Sequence, residues 1–243
     1  MRKDTKIVVT GSAGLLGQNL VAELSRQGYT NITALDKHSG NLYIQQTLHP
    51  DVHCAQADLA LPGGWEEHFE GAEALFLLQA QITGQTFDPF QRNTIDSTAN
   101  VLSAAKKHAV PFTVFVGSSV VNSVADDNYT RSKKMQEAMM RDSGLAHCIA
   151  RPTLMFGWFD PKHLGWLSRF MAKTPVFPVP GHGRYMRQPL YVLDFCRLLF
   201  RCMENRPHGE AFDIVGQEDV PYITFFLTIK QVKKPPTPVL MIP

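Results

Sequence analysis

Lys6-Ile-Val-Val-Thr10-Gly11-Ser-Ala-Gly14-Leu-Leu-Gly17 is the stretch that decides how this chain is read. A short run of β-branched and apolar residues ends in three glycines spaced three apart, and Leu20, Val21 and Leu24 follow at helical spacing. Glycine at these positions permits a tight turn, lets backbone N–H groups approach a pyrophosphate and allows close helix–strand packing. The helix N-terminus adds partial positive charge at the same place. Strand, glycine turn and helix in this order predict a dinucleotide cradle in which Gly11, Ala13, Gly14, Leu15, Leu16 and Gly17 meet the cofactor.

Nineteen residues beyond Gly17, Asp36 follows the second predicted strand. A carboxylate there hydrogen-bonds both ribose hydroxyls and repels a 2′-phosphate, which favours NAD over NADP. Lys37 and His38 follow it and offer a phosphate some compensation. Asp58, with Leu59 beside it, comes just after the third predicted strand and is a natural partner for the adenine amine, or else a helix cap.

Further strands are expected at Lys6–Thr10, Ile32–Leu35, Val52–Ala57, Ala74–Leu78, Phe112–Val116 and His147–Ala150, with helical patterns between most of them. This alternation belongs to the α/β class, a Rossmann-type doubly wound parallel sheet, and the continuous apolar run Ala74-Leu-Phe-Leu-Leu78 suits a strand covered on both faces. From Arg151 the texture changes, as Pro152, Pro161, Pro175, Pro178, Pro180 and Pro189 interrupt regular structure. The expected organisation is a dinucleotide-binding domain over 1–155, to which 188–205 returns as a helix. A small, shortened substrate-binding region is expected over 156–187 and 206–243.

The 243 residues are 44% hydrophobic and 19% charged, enough for a sizeable core, and the formal charge of +2 gives no reason to expect nucleic acid as a partner. No apolar run approaches a membrane span and no signal-peptide core is present, so a cytoplasmic protein is expected. Four cysteines without a C-x-x-C pair and nine scattered histidines support neither a disulfide scaffold nor a metal.

The fifth predicted strand runs into Ser118-Ser119, and a helix is expected to start near Tyr129-Thr-Arg-Ser-Lys133. Tyr and Lys at i and i+4 share a helix face, so an ammonium near the phenol would stabilise phenolate and lower its pKa towards general-base range. The position of this pair, downstream of a Ser-terminated strand and a nucleotide cradle, carries more weight than the pair itself.

With these motifs the chain resembles the extended short-chain dehydrogenase/reductases, the NAD-dependent epimerase/dehydratase group acting mainly on nucleotide sugars. Asn93, Arg151-Pro152-Thr-Leu-Met-Phe-Gly157, Gln188-Pro-Leu-Tyr-Val-Leu-Asp194 and Gly209-Glu-Ala-Phe-Asp-Ile-Val-Gly216 extend the likeness over almost the whole chain. The resemblance implies Tyr129 as acid/base, Lys133 on the nicotinamide ribose, and Ser119, with Ser118 as the less favoured alternative, on the reacting oxygen. Asn93 and Pro152 would touch the cofactor, and a homodimer is implied. The family's His-Leu-Ala-Ala at the end of strand four is Leu77-Leu-Gln79-Ala80 here, which puts Gln79, Ala80 and Gln81 near the cofactor. Only ten residues separate Ser119 from Tyr129, and Val120-Val121 replace the Asp-Glu pair of the sugar dehydratases, so a 4,6-dehydratase is not expected. The family normally continues beyond the residues corresponding to Gly209–Gly216, whereas this sequence ends at Pro243, so the small region is expected to be incomplete.

Arg187, ahead of Arg151 and Arg184, is the candidate for a substrate diphosphate, since guanidinium forks suit phosphate oxygens. The leading expectation is an NAD-dependent epimerase or keto-reductase of a nucleotide sugar. A dehydrogenase of a steroid, lipid or phenolic alcohol and a non-catalytic NAD(P)-binding accessory protein are the alternatives.

Overall fold

The computed structural model describes residues 1–160, 162, 164–233 and 238–242. Pro161, one of the pattern-breaking prolines, and residues 234–237 and 243 of the expected small region lie outside the described residues.

The chain runs through β1 (Ile7–Thr10), α1 (Leu15–Arg26), β2 (Ile32–Asp36), α2 (Ser39–Leu48), β3 (His53–Gln56) and β4 (Ala74–Leu77). A long helical stretch follows, opening as α3 (Asp88–Phe90), passing through a π-helical turn at Gln91–Asp96 and continuing as α4 (Ser97–Lys107). Then come β5 (Thr113–Val116), α5 (Asn128–Arg141) and β6 (His147–Pro152). The later part contains β7 (Met155–Phe156), α6 (Leu164–Met171), β8 (Phe177–Pro180), β9 (Met186–Arg187), β10 (Leu190–Tyr191), α7 (Val192–Asn205), β11 (Ala211–Ile214), β12 (Val220–Pro221), α8 (Tyr222–Lys233) and β13 (Val239–Ile242).

Seven strands form one parallel sheet in the order β11-β6-β5-β4-β1-β2-β3. Parallel strands need crossovers, and the helices that supply them cover both faces. Side chains alternate along β1: Ile7 and Val9 pack with Leu20 and Leu24 of α1 and Phe195 and Leu199 of α7, while Val8 packs on the other face with Leu75, Leu77, Val101 and Phe115. Thr10 is level with Leu77 on one side and Leu35 on the other. Because β1 continues into the order 1-2-3 and β4 into 4-5-6, the connections diverge there and leave a crevice at the carboxyl ends of β1 and β4.

The segment after Gly209 differs from the sequence reading. Read as part of the small region, Ala211–Ile214 is instead the edge strand of the main sheet, paired with Ile149–Pro152. A four-residue strand with Phe212 partly exposed carries little of the continuous apolar character that marks a central strand. A separate cluster, Leu167, Met171, Phe177, Val179 and Phe226, joins α6, β8 and α8. No helix among the described residues is long and apolar enough to cross a membrane.

A Cβ at Gly17 would lie 2.3 Å from the Ser12 carbonyl oxygen and 2.5 Å from its Cα. Backbone cannot rotate away, so Gly17→Ala should destabilise the fold by about 1–3 kcal/mol, seen as a lower urea midpoint with an unchanged slope. An unchanged midpoint would show that α1 does not pack this closely on the turn.

Candidate active site

A cleft of about 750 Å³ opens at the carboxyl ends of the sheet. Its floor is set by Gly11, which adopts φ +68° and whose missing Cβ would lie 2.7 Å from the Gln79 nitrogen. Only glycine fits both the left-handed conformation and the approach of β4's extension. Gly14 is the N-cap residue of α1, which has no side-chain cap and no acidic residue in its first turn. A Cβ at Gly14 would meet nothing closer than the Gly11 oxygen at 3.7 Å. The chain itself therefore does not demand glycine there, and a ligand resting on the helix N-terminus would.

The Asp36 carboxylate accepts the Ala13 N–H at 3.0 Å and the His38 N–H at 2.9 Å, which fixes it at the mouth of the glycine turn. Lys37 Nζ donates to Asn93 Oδ1 at 2.7 Å, and Asn93 Nδ2 donates to Gln81 Oε1 at 3.0 Å. Asp58 is ion-paired with Arg92 and accepts the Ala60 N–H. Burial pushes its carboxyl up, but Arg92 and the N–H outweigh this and hold it below its ordinary value. The Thr10 hydroxyl donates to Gln79 Oε1 at 2.6 Å, while Gln79 Nε2 is buried with no hydrogen-bond partner among the described residues. An orphan donor beside a glycine-lined cradle fits a polar ligand such as a dinucleotide.

At the other end, the Asp127 carboxylate caps α5, accepting the Thr130 N–H at 3.0 Å and its hydroxyl at 2.7 Å. This cap sets Tyr129 in the first turn and Lys133 one turn later. Burial raises the Tyr129 phenol above its ordinary value; the Ser118 hydroxyl pulls the other way, and the Asp127 charge adds to the rise. The lowering expected from Lys133 is not found, because the lysine is engaged elsewhere. It is 2% exposed, donates to the Val116 carbonyl at 3.0 Å and to Gln136 Oε1, and lies 5.1 Å above the Phe115 ring. Desolvation brings its ammonium down to about 7, against the pull of Glu137.

The cleft brings together Gly11, Ala13, Gly14, Leu15, Leu16, Gly17, Asp36, Lys37, Asp58, Leu59, Gln79, Ala80, Gln81, Asn93 and Pro152 with Ser118, Ser119, Tyr129 and Lys133. Of the two serines, Ser118 is the one that acts on the Tyr129 phenol, whereas Ser119 starts the short 3-10 turn that follows. Arg187 is not among the cleft residues; it is exposed on β9 with its guanidinium 5.2 Å over the Tyr185 ring. Arg151 is tied to Glu137 and, at 3.5 Å, to Asp213. The sequence reading missed Ile82, Thr153, Leu154, Met155, Phe159, Asp160 and Lys162, which come from irregular segments and the two-residue β7. It also missed Gln136, which helical periodicity from Lys133 would have found at i+3.

A sequence model of the NAD dependent epimerase/dehydratase family matches residues 7–215. A ceramide reductase of Caulobacter vibrioides is 27% identical over 178 residues, 71% of this chain and 53% of that protein, so the chain spans about half the length of this relative. The sterol-4-alpha-carboxylate 3-dehydrogenase, decarboxylating, of Mus musculus is 24% identical over 93% of this chain and 68% of that one. Among solved structures, the UDP-glucuronic acid 4-epimerase of Bacillus cereus in complex with NAD superimposes with a TM-score of 0.84 at 18% identity, covering 98% of this chain and 87% of the other.

Lys133 titrates near 7 in the folded protein against an ordinary value of 10.5, so between those limits the unfolded chain holds the proton that the folded one releases. Stability from this group therefore rises with pH across that window, by at most about 1.4 kcal/mol per pH unit, and is lost as pH falls through 7. Melting temperatures of Lys133→Met and the parent, taken from about pH 6 to about pH 9.5, should show the variant's relative advantage shrinking as pH rises. A gap independent of pH would contradict the buried, titrating lysine.

Proposed function

The chain belongs to the NAD dependent epimerase/dehydratase family, and from that premise we propose that it is a nicotinamide-dinucleotide-dependent oxidoreductase interconverting a secondary alcohol and a ketone. The observation that carries this reading is one continuous cleft lined by both the uncapped N-terminus of α1 and the Ser118–Ser119–Tyr129–Lys133 group. Gly11, Gly14 and the first turn of α1 would hold the pyrophosphate and Asp36 the ribose, which supports NAD over NADP. The nicotinamide would supply or accept hydride at the substrate carbon.

The protein's own part is proton transfer and positioning. A Tyr129 phenol above its ordinary value stays protonated at neutral pH, ready to donate to a carbonyl oxygen. The hydroxyl of Ser118, or that of Ser119 beside it, orients that oxygen. Lys133 Nζ, titrating near 7 in the lining of the same cleft, holds or releases a proton with little driving force either way.

For the substrate, the cleft favours an apolar alcohol or ketone over the nucleotide sugar that leads the sequence reading. Ile82, Val120, Leu154, Met155 and Phe159 line it together with the catalytic group. A diphosphate needs cations, and Lys37, Lys133 and Lys162 are the only lysines or arginines among the described cleft residues, the first two committed to other partners. Two curated relatives, by name a ceramide reductase and a sterol-4-alpha-carboxylate 3-dehydrogenase, support the same class. A screen of UDP-sugars against apolar ketones with NADH and NADPH separates the classes.

Tyr129→Phe removes only the hydroxyl. It should cut kcat by at least about 100-fold with nucleotide affinity retained. Full turnover in that variant would overturn the assignment, and a parent protein that binds nucleotide but turns over neither class would leave the accessory-protein reading.

A further inference from the structure

A second cavity, of about 540 Å³, adjoins the reaction cleft at Asp160, which lines both. The turn Phe156–Asp160 runs along their common border: Phe159 lines the cleft, whereas Phe156 and Gly157 line the cavity. This partition is held in an unusual backbone. Phe159 sits at φ +62°, costly for an aromatic residue, and Gly157 at φ +153° is pressed so close to Val192 that a Cβ would lie 2.3 Å from its Cγ1. Both Asp160 carboxylate oxygens are held by backbone, accepting the Lys162 N–H at 3.2 Å and the Gly165 N–H at 3.1 Å, which anchors the partition to the start of α6.

The cavity lies between α6 and α8, with Leu164, Val220, Phe225, Ile229 and Val232 on its walls. Ser168, Thr224 and Thr228 add short polar side chains to its lining. An apolar chamber of this size that shares a wall with a reaction cleft has the dimensions and lining of a ligand site. Its charged lining residues are Asp160, Arg169 and Lys233.

We propose that this cavity receives the hydrocarbon tail of the alcohol or ketone whose oxygen meets Tyr129, so that the substrate site has two parts, a reaction end and a tail chamber, with the strained Phe156–Asp160 turn between them. The inference rests on the oxidoreductase reading above and gives its substrate class a defined shape: a hydroxyl or keto group carried on a long aliphatic or isoprenoid chain.

The test is calorimetric titration of the full chain, with NADH present, by aliphatic 2-ketones of about 4 to 14 carbons, and separately by UDP. In the parent, affinity should rise on the order of fourfold for each methylene buried. Thr228→Trp and Thr224→Trp, each checked for an unchanged melting temperature, should bind the shortest ketones as the parent does and lose the gain for the longest. The proposal is overturned if the parent shows no chain-length dependence, if both filled variants keep the parent's dependence, or if UDP binds and either tryptophan weakens it, because the chamber would then hold a nucleotide. A chain-length dependence abolished by the tryptophans, without any NADH oxidation, would leave the tail chamber standing and overturn the oxidoreductase reading. Turnover of short ketones without that dependence would do the reverse.

Discussion

The close approach of two backbones at Gly11 is the constraint on which the rest of this molecule depends. β1 must leave the sheet directly beside β4, whose extension at Gln79 comes within 2.7 Å of where any Cβ on Gly11 would stand. With the left-handed turn made there and Gly17 pressed on Ser12, α1 can only start at the carboxyl edge of the sheet, its N-terminus directed at the crevice where the strand order reverses. Leaving that end uncapped costs stability that a side chain could have supplied, of about 1 kcal/mol, and leaves N–H donors and a dipole facing the cleft.

The second half of the site is built by a different device and then tied to the first. Asp127 starts α5, Tyr129 and Lys133 fall on one face of it, and Lys133 is carried into the protein with its ammonium on the Val116 carbonyl and Gln136. Gln136 Nε2 in turn donates to the Thr98 hydroxyl at 2.8 Å and to the Gln79 carbonyl at 3.1 Å. One amide thus connects α5 to α4 and to the segment that forms the floor of the glycine turn. A buried lysine is tolerated only with such partners, and the depressed ammonium pKa is the residual cost of its burial.

Most of the sheet was legible because its strands are short apolar runs bounded by breakers, and a parallel sheet covered on both faces writes itself in that way. The glycine turn was legible because Gly11 and Gly17 answer local steric demands and Gly14 keeps their spacing. The cleft therefore gathers the residues that motif spacing singled out. What was not legible depends on partners distant in sequence. Ala211–Ile214 becomes a sheet strand only by pairing with β6. Arg187 reads as an anion site until Tyr185 is seen beneath it. Lys133 and Tyr129 share a helix face, as i and i+4 require, yet the lysine's hydrogen bonds are made with Val116 and Gln136. The residues after β6, including the Phe159–Asp160 partition, carry no periodicity by which to place them.

The most direct test uses Gly14, where the chain leaves room for a side chain and, on this account, a bound dinucleotide does not. The affinity of Gly14→Val for NADH, measured by fluorescence titration alongside its melting temperature, should fall by at least about tenfold while the melting temperature stays at the parent's value. Unchanged affinity would contradict the account, as would a loss of stability matching the loss of binding, because Gly14 would then serve the fold and the N-terminus of α1 would not be where the cofactor rests.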